Sequence, residues 1–228
     1  MSNARAEAIL SYWFGSNPDD PAIMAKRGNQ WFVHPANREK VDGAIKTKFG
    51  ADYEAACNGT FKADLSNPRE RLALMILLDQ FSRNLNRAEG ASYNYTLKAY
   101  EHDEKVLALA LEGMKNGDDK KLRLIERVFF YLPLMHSEKP EMAELSMKTY
   151  QALQGEATDP VQKEQLGWVV YKIMHNAKMI KDYGRYPHRN KTFGRTSTPE
   201  ELQFLKDEPH VPGSGSGGVG DVLPDAYT

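Results

Sequence analysis

The chain has very little cysteine, and its one thiol excludes two classes of small stabilised protein. Cys57 is the single cysteine among 228 residues. An internal disulfide is therefore excluded, and so is a zinc site built on several cysteines. The surrounding sequence "YEAACNG" contains no pattern that would activate a nucleophilic thiol, so we interpret Cys57 as a buried bystander.

Long apolar runs are also absent. The longest, "LALMILL" at residues 72–78, is far too short to span a bilayer. The opening residues "MSNARAEAIL" lack the apolar core and cleavage site of a signal peptide. These features predict a soluble, cytoplasmic protein with no membrane partner.

Neither sign of charge is in excess. Thirty lysines and arginines face thirty-one aspartates and glutamates, which leaves a formal net charge of -1. No overall field would attract nucleic acid or an anionic membrane, so we expect no nucleic-acid partner. Any site for an anion must be local.

Period-two alternation is missing as well, whereas helical spacing recurs along the chain, so the sequence predicts an all-α fold with no sheet. About eight to ten helices are expected, in an irregular array. Successive helix–turn–helix pairs are compatible with a degenerate repeat stack, and the sequence does not separate that from an irregular bundle.

Three apolar stripes mark the longer helices. The first contains Tyr93, Leu97, Tyr100, Leu107, Leu111 and Met114, with a stop at Gly117; the second contains Leu122, Ile125, Val128, Phe129 and Leu132, ended by Pro133; the third contains Leu166, Val169, Val170, Ile173, Ala177 and Ile180. Shorter helices are predicted at about 4–14, 36–48, 51–57, 140–153 and 199–206. The segment "RLALMILLDQF" is apolar nearly all round, which predicts a central, covered helix.

The end of the chain changes composition abruptly to glycine and serine, in "PGSGSGGVGDVLPDAYT" at 212–228. Such a segment is typical of a linker. We therefore predict one helical domain over residues 1–208 and a linker-like tail over 209–228, in which Val222, Leu223 and Tyr227 are the candidate anchors.

Polar residues with chemical potential fall in three segments. The first is "LLDQFSRNLNR", where Asp79 and Arg83 are four residues apart and would meet on one helical turn. The second is "YLPLMHSE", which contains His136 and Glu138. The third is "YGRYPHRNKTFGRTSTPEE" at 183–201, with His175 on the helix before it.

Each segment also has a purely structural interpretation. Asp79 and Arg83 can form an ion pair at a helix end, and His136 can bond to backbone after a proline break. In the third segment, Gly184 can end a helix, and arginines can cap free carbonyls. That interpretation explains poorly why His188 and Arg189 are adjacent and Arg195 follows.

The three segments together resemble the bacterial domain-of-unknown-function family 924. The resemblance rests on "LLDQFSRN", "FFYLPLMHSE" and "YGRYPHRNKTFGRTSTPEELQFL" in that order, and it extends from residue 12 to about residue 205. It implies a helical fold with tetratricopeptide-like architecture, but no settled reaction. The residues that match the family motifs are Asp79, Gln80, Arg83, Asn84, His136, Ser137, Glu138, Gly184, Arg185, Pro187, His188, Arg189, Asn190, Gly194 and Arg195, and His175 lies where the family tends to carry histidine.

The leading hypothesis is a cleft that binds a small anionic or strongly polar ligand, because planar guanidinium groups and exposed amides suit phosphate or carboxylate. Its candidate ligand-binding residues are Asp79, Arg83, Asn84, His136, Glu138, His175, Arg185, His188, Arg189, Asn190 and Arg195. Arg83, Arg185, Arg189 and Arg195 would hold the anion, and Asn84 and Asn190 would orient it.

Two other classes of function stay open. One is an enzyme, most plausibly hydrolytic, with His136 or His188 as general base and Asp79 or Glu138 as its orienting carboxylate. The other is a helical-repeat scaffold that grips a peptide partner. No Walker loop, dinucleotide fingerprint or serine-nucleophile motif is present, so the sequence leaves any cofactor unknown. No histidine pair has the spacing of metal ligands, so no metal site is expected.

Overall fold

The computed structural model describes residues 3–31, 37–87 and 95–207. Within these ranges the chain is an array of helices, and the isolated antiparallel bridge between Arg87 and Tyr95 does not extend into a strand. The predicted all-α class is therefore confirmed. The α-helices are α1 (Ala4–Phe14), α2 (Ile23–Trp31), α3 (Arg38–Cys57), α4 (Pro68–Met75), α5 (Ser82–Leu85), α6 (Asp103–Lys115), α7 (Leu124–His136), α8 (Pro140–Glu156), α9 (Pro160–Tyr183) and α10 (Pro199–Asp207).

Side-chain caps set several of the helix starts. The Asn67 side chain accepts from the backbone N–H of Arg69 at 3.0 Å, and Pro68 follows in the first turn of α4. Asp159 caps α9 in the same way, ahead of Pro160. These residues satisfy N–H groups that have no partner inside the helix. Thr198 and Glu201 form a capping box at the start of α10, since each side chain accepts from the other's backbone N–H.

The predicted central helix is at the centre of the core. Every residue from Leu72 to Leu78 is buried, and α1, α3, α6 and α7 pack around this segment and its continuation to Phe81. A helix surrounded by other helices must be apolar on all sides, which explains the nearly continuous apolar run. A smaller cluster joins Ala143, Met179, Ile180 and Tyr186 near the C-terminal end of the described chain.

Two expected breaks are wrong. The two helices expected at about 36–48 and 51–57 are a single helix, α3 (Arg38–Cys57), which runs through Gly50; Ile45, Phe49 and Tyr53 form one continuous buried face. That face outweighs the roughly 1 kcal/mol that a glycine costs inside a helix. Pro133 lies within α7, and the helix continues to His136 because Ser137 N–H still reaches the Pro133 carbonyl at 3.2 Å.

Two further expectations turn out differently. The stripe before Gly117 is only partly a core stripe, since Leu97 is 58% exposed and lies in a 3-10 turn, whereas Leu107 is buried. Helix α2 was not expected from the sequence.

Some predictions concern residues outside the described ranges. These are Tyr93 and the tail over 209–228, with Val222, Leu223 and Tyr227. The division of the chain into domain and tail therefore stays a prediction. No helix in the described part is long and apolar enough to cross a membrane.

Candidate functional site

The central helix changes its winding where the first polar segment begins. Residues Ile76–Phe81 form a π-helical stretch between α4 and α5, and Asp79 lies inside it. Such insertions are rare and occur frequently at functional sites, because the wider turn displaces side chains from the regular α-helical face. Here the π-helical stretch carries a buried carboxylate, since Asp79 is 4% exposed.

Asp79 binds two basic side chains through one oxygen. Its Oδ1 accepts from Arg83 Nη2 at 2.9 Å and lies 2.8 Å from His136 Nδ1. Its other oxygen accepts from the Gln80 side chain. Burial opposes ionisation of Asp79, but the neighbouring His136 and Arg83 outweigh that effect and hold the pKa of the carboxyl well below its usual range. Asp79 is therefore a carboxylate at neutral pH.

His136, the last residue of α7, is held in a defined orientation by this carboxylate. Because an ionised carboxylate only accepts, the 2.8 Å contact places the ring proton on Nδ1. Arg83 Nη2 lies 3.2 Å from the same nitrogen but does not donate to it, because Nδ1 already carries a proton. The side chain is 16% exposed, and Nε2 has no hydrogen-bond partner among the described residues.

Arg83 connects this pair to α6 and to two aromatic rings. Its Nη2 also donates to Asp103 at 3.1 Å, and the guanidinium lies over the rings of Tyr100, at 5.1 Å, and Tyr95, at 5.7 Å. The residue is 9% exposed, and its Nε is buried without a hydrogen-bond partner among the described residues. Arg83 thus has one nitrogen used by two carboxylates and another still unpaired.

The third polar segment folds back onto the end of α7. Gly184 ends α9 in the left-handed conformation, with φ of 68°, and the chain reverses there. The Tyr186 hydroxyl donates to the Met135 carbonyl at 2.6 Å, and its N–H donates to Glu138 at 3.0 Å. Arg195 forms a two-pronged pair with Glu138, at 2.6 and 3.1 Å. Glu138 therefore fastens the loop to the helix end.

Arg189 reaches the same place from the loop. Its Nη1 donates to the His136 carbonyl at 2.8 Å, and its guanidinium lies 5.1 Å from the Tyr100 ring centre and 4.6 Å from that of Tyr186. Glu138 is 3.9 Å away, too far for a hydrogen bond. The Nε of Arg189 is buried and has no partner within the described ranges. The guanidinium groups of Arg83 and Arg189 thus both lie 5.1 Å from the centre of the Tyr100 ring.

Arg185 and Asn190 bind Glu201 at the start of α10. Arg185 donates to both Glu201 oxygens, at 2.6 and 2.9 Å, and the Asn190 amide donates to one of them at 3.0 Å. Glu201 is 2% exposed, and its pairing with Arg185 lowers its pKa. Both predicted ligand residues are thus engaged in holding the loop to α10.

The remaining candidates, His188, His175 and Asn84, contact other partners. His188 stacks on the Tyr186 ring at 5.5 Å, and burial together with Arg189 and Arg195 lowers the pKa of His188 to about 3, so this imidazole is neutral. His175 on α9 stacks on Phe204 of α10 at 6.2 Å. Asn84 donates to Asp42 of α3 at 2.8 Å, and Arg87 donates to the same carboxylate.

The structure thus brings the three polar segments into contact around His136. Asp79, Arg83, His136 and Arg189 are in direct contact, and Glu138 supports the loop that carries Arg189. Sequence reasoning missed Asp103, Tyr100 and Tyr186 as members of this cluster. Tyr100 had been assigned to an apolar stripe, and Asp103 carries no sequence signal other than its place in the first turn of α6. In the described part of the chain, no three histidine, cysteine or carboxylate side chains are grouped to hold a metal ion.

Fold and site together define an all-α protein in which a π-helical aspartate, a helix-end histidine and an arginine-bearing loop meet. The chain belongs to the family described as bacterial protein of unknown function (DUF924), whose model matches residues 9–209. It is also similar to a solved structure, a protein of unknown function, ATU0120, from Agrobacterium tumefaciens. The two share 27% identity with a TM-score of 0.67, over 90% of this chain and 98% of the other. No curated protein matches the chain.

Proposed function

We propose that this protein binds a small anionic or strongly polar molecule at the site around His136. The observation that carries the proposal is the 2.8 Å contact between His136 Nδ1 and the buried carboxylate of Asp79. Because Nδ1 is committed to Asp79, the imidazole presents Nε2 as its reactive edge. A ring that is oriented in this way can accept a proton from a ligand or, once protonated, donate to one.

Buried donors next to this histidine support an anionic ligand. The Nε groups of Arg83, Arg189 and Arg195 are buried and lack partners among the described residues, but both terminal nitrogens of Arg195 already donate to Glu138. An unmade hydrogen bond at a buried N–H costs about 1–3 kcal/mol, so an oxygen-bearing ligand that reached the Nε of Arg83 or Arg189 would recover this energy. Arg185 and Arg195, by contrast, already have both prongs on carboxylates. We therefore narrow the predicted anion-binding set to His136, Arg83 and Arg189.

A thermal-shift titration tests this proposal. A ligand at about 100 times its Kd stabilises the native state by about 2.7 kcal/mol. For a domain of this size each kcal/mol is worth roughly 2–4 °C in Tm. A panel of small carboxylates and phosphates should therefore contain compounds that raise the wild-type Tm by several degrees.

Two variants separate binding from stability. His136→Asn retains an N–H that can donate to Asp79 but removes Nε2, so it should lose the ligand-dependent rise. Arg185→Lys breaks the two-pronged pair with Glu201, so it should lower the baseline Tm and keep the rise. If no compound in the panel shifts the wild type, or if His136→Asn keeps the full shift, the proposal is wrong.

The second candidate is a hydrolytic enzyme, and the same contact favours it. An imidazole with Nδ1 on a buried carboxylate and Nε2 free is the arrangement of a general base that activates water or a hydroxyl. Of the predicted histidine–carboxylate pairs, the one between His136 and Asp79 is present. Glu138 instead pairs with Arg195 and does not bind His188. Mass spectrometry of each stabilising compound after incubation with the protein distinguishes the two functions, because an enzyme converts it and a binding protein returns it unchanged.

We also infer that the architecture is tetratricopeptide-like over its second half. Helices α6, α7, α8 and α9 each pack against the next along the chain, as stacked helix pairs do. In this arrangement the loop that follows α9 returns to the end of α7, where His136 lies.

A further inference from the structure

The charge of the ligand can be narrowed further by counting the ionic groups of the site, an argument that rests on the proposed function. Five arginines of the first and third segments are in or next to the cluster, and each contacts a carboxylate. The pairs are Arg83 with Asp79 and Asp103, Arg87 with Asp42, Arg185 with Glu201, and Arg189 and Arg195 with Glu138. Five positive groups therefore face five negative ones.

The two imidazoles decide what charge is left for a ligand. His188 is neutral because of its burial and its cationic neighbours. His136 gains one positive charge when Nε2 takes a proton. Among these described residues, the cluster therefore offers at most one uncompensated positive charge. A dianion brought into this partly buried place would leave one negative charge unmatched, which is costly away from water.

Tyr100 supplies a further polar group beside the two arginines that contact His136. Its ring centre lies 5.1 Å from the guanidinium groups of both Arg83 and Arg189, and the ring packs on Phe193 at 5.0 Å. The side chain is half-buried, and its hydroxyl makes no hydrogen bond with any residue in the described ranges. Burial raises the pKa of Tyr100 more than the two arginines lower it, so the phenol keeps its proton and is a donor.

We infer that the ligand is a monoanion, a carboxylate, and that the Tyr100 hydroxyl donates a hydrogen bond to it. His136 and Tyr100 then provide the hydrogen-bond donors, and the charges of the surrounding arginines and carboxylates balance one another. Phe193, which is 40% exposed beside Tyr100, offers an apolar surface for the body of the ligand. The chemistry selected is therefore a carboxylate attached to an apolar or aromatic group.

A matched pair of probes tests the charge. Benzoate and phenyl phosphate share a ring, but at pH 7.5 the first is a monoanion and the second mostly a dianion, because a phosphate monoester has its second pKa near about 6. Calorimetric titration of the wild type at pH 7.5 should give a Kd for benzoate at least about tenfold lower than for phenyl phosphate. At pH 5.0 both are monoanions, and the difference should fall below about threefold.

Variants test the hydroxyl. Tyr100→Phe keeps the ring beside the two arginines and should weaken benzoate binding about tenfold, as expected for a lost hydrogen bond to a charged group. Tyr171→Phe, at a tyrosine of α9 that is 65% exposed, is the matched control and should bind as the wild type does. Melting curves without ligand show whether each variant is folded.

Each contrary outcome has a separate meaning. If neither probe binds and no compound of the wider anion panel raises the Tm of the wild type, the proposed function itself is wrong. If phenyl phosphate binds as tightly as benzoate at pH 7.5, the site accepts dianions, and the monoanion inference fails while anion binding stands. If Tyr100→Phe binds benzoate with the wild-type Kd, the hydroxyl has no part in recognition.

Discussion

Replacing Asp79 with asparagine removes the charge at the centre of the site and keeps its shape. In the wild type the carboxylate accepts from Arg83 and His136 while it is only 4% exposed. Breaking a buried ion pair by removing one partner costs about 3–5 kcal/mol. Arg83 retains Asp103, which lies 3.1 Å from the same nitrogen, so we expect the lower end of that range. Asp79→Asn should thus lose about 3 kcal/mol of stability.

The matched control is Asp103→Asn, which removes the other carboxylate from the same guanidinium. The Asp103 side chain is 21% exposed, against 5% for Asp79, and solvent screens its pair with Arg83 more strongly. Its loss should cost about 1 kcal/mol. At roughly 2–4 °C per kcal/mol, Asp79→Asn should lower Tm by about 6–12 °C and Asp103→Asn by about 2–4 °C.

Equilibrium unfolding in urea measures both free energies, and a double-mutant cycle isolates the contact with the histidine. Asp79→Asn and His136→Asn, alone and combined, should show a coupling energy between about 0.5 and 3 kcal/mol, as for residues in one hydrogen-bonded network. Equal costs for the two aspartate variants, or additive effects of Asp79→Asn and His136→Asn, would refute the reasoning that Asp79 is the buried hub of the site.

Three other outcomes follow from the geometry. The pKa of His188 in the native protein is lowered to about 3, so below pH 6.5 the unfolded chain takes up a proton that the native protein does not. The free energy of unfolding of the wild type should therefore drop by about 1 kcal/mol from pH 7 to pH 5.5. His188→Phe should lack this contribution, and urea unfolding at the two pH values measures the difference. Gly184→Ala should cost about 1 kcal/mol in thermal melts, since φ is 68° there. Glu201→Gln should lower the Tm in thermal melts, because it removes the carboxylate that accepts from Arg185 and Asn190, and adding Arg185→Met should recover part of the loss.

The fold followed from the sequence wherever one physical effect dominated. The continuous apolar run predicted a central helix because such a helix can only be buried on all sides. The break predicted at Pro133 failed because packing of α7 kept the helix intact where local propensity alone disfavours it. Gly50 in α3 is a second example, since a buried stripe on both sides held one helix together.

The site was harder to derive, since sequence spacing reports only neighbours within one helix. The ion pair of Asp79 with Arg83 was predictable from their spacing of four residues. The contact of Asp79 with His136 joins residues that are 57 apart, and it depends on how α7 packs against the π-helical stretch. Local pattern gives no sign that Arg185 pairs with Glu201 and Arg195 with Glu138. Those pairings change three predicted ligand residues, Arg185, Arg195 and Glu138, into the supports of a loop.

Nitrogen-15 NMR of the histidine side chains tests the central claim most directly, because it reports on the two ring nitrogens of His136 separately. Spectra of the wild type, assigned with His136→Asn, should show Nδ1 protonated by its bond to Asp79. Titration with a stabilising anion should then shift the Nε2 resonance of His136 and leave His175 unchanged. A His136 ring whose Nδ1 lacks the proton, or whose Nε2 resonance does not move with any anion that binds, would contradict a ligand site built on this histidine.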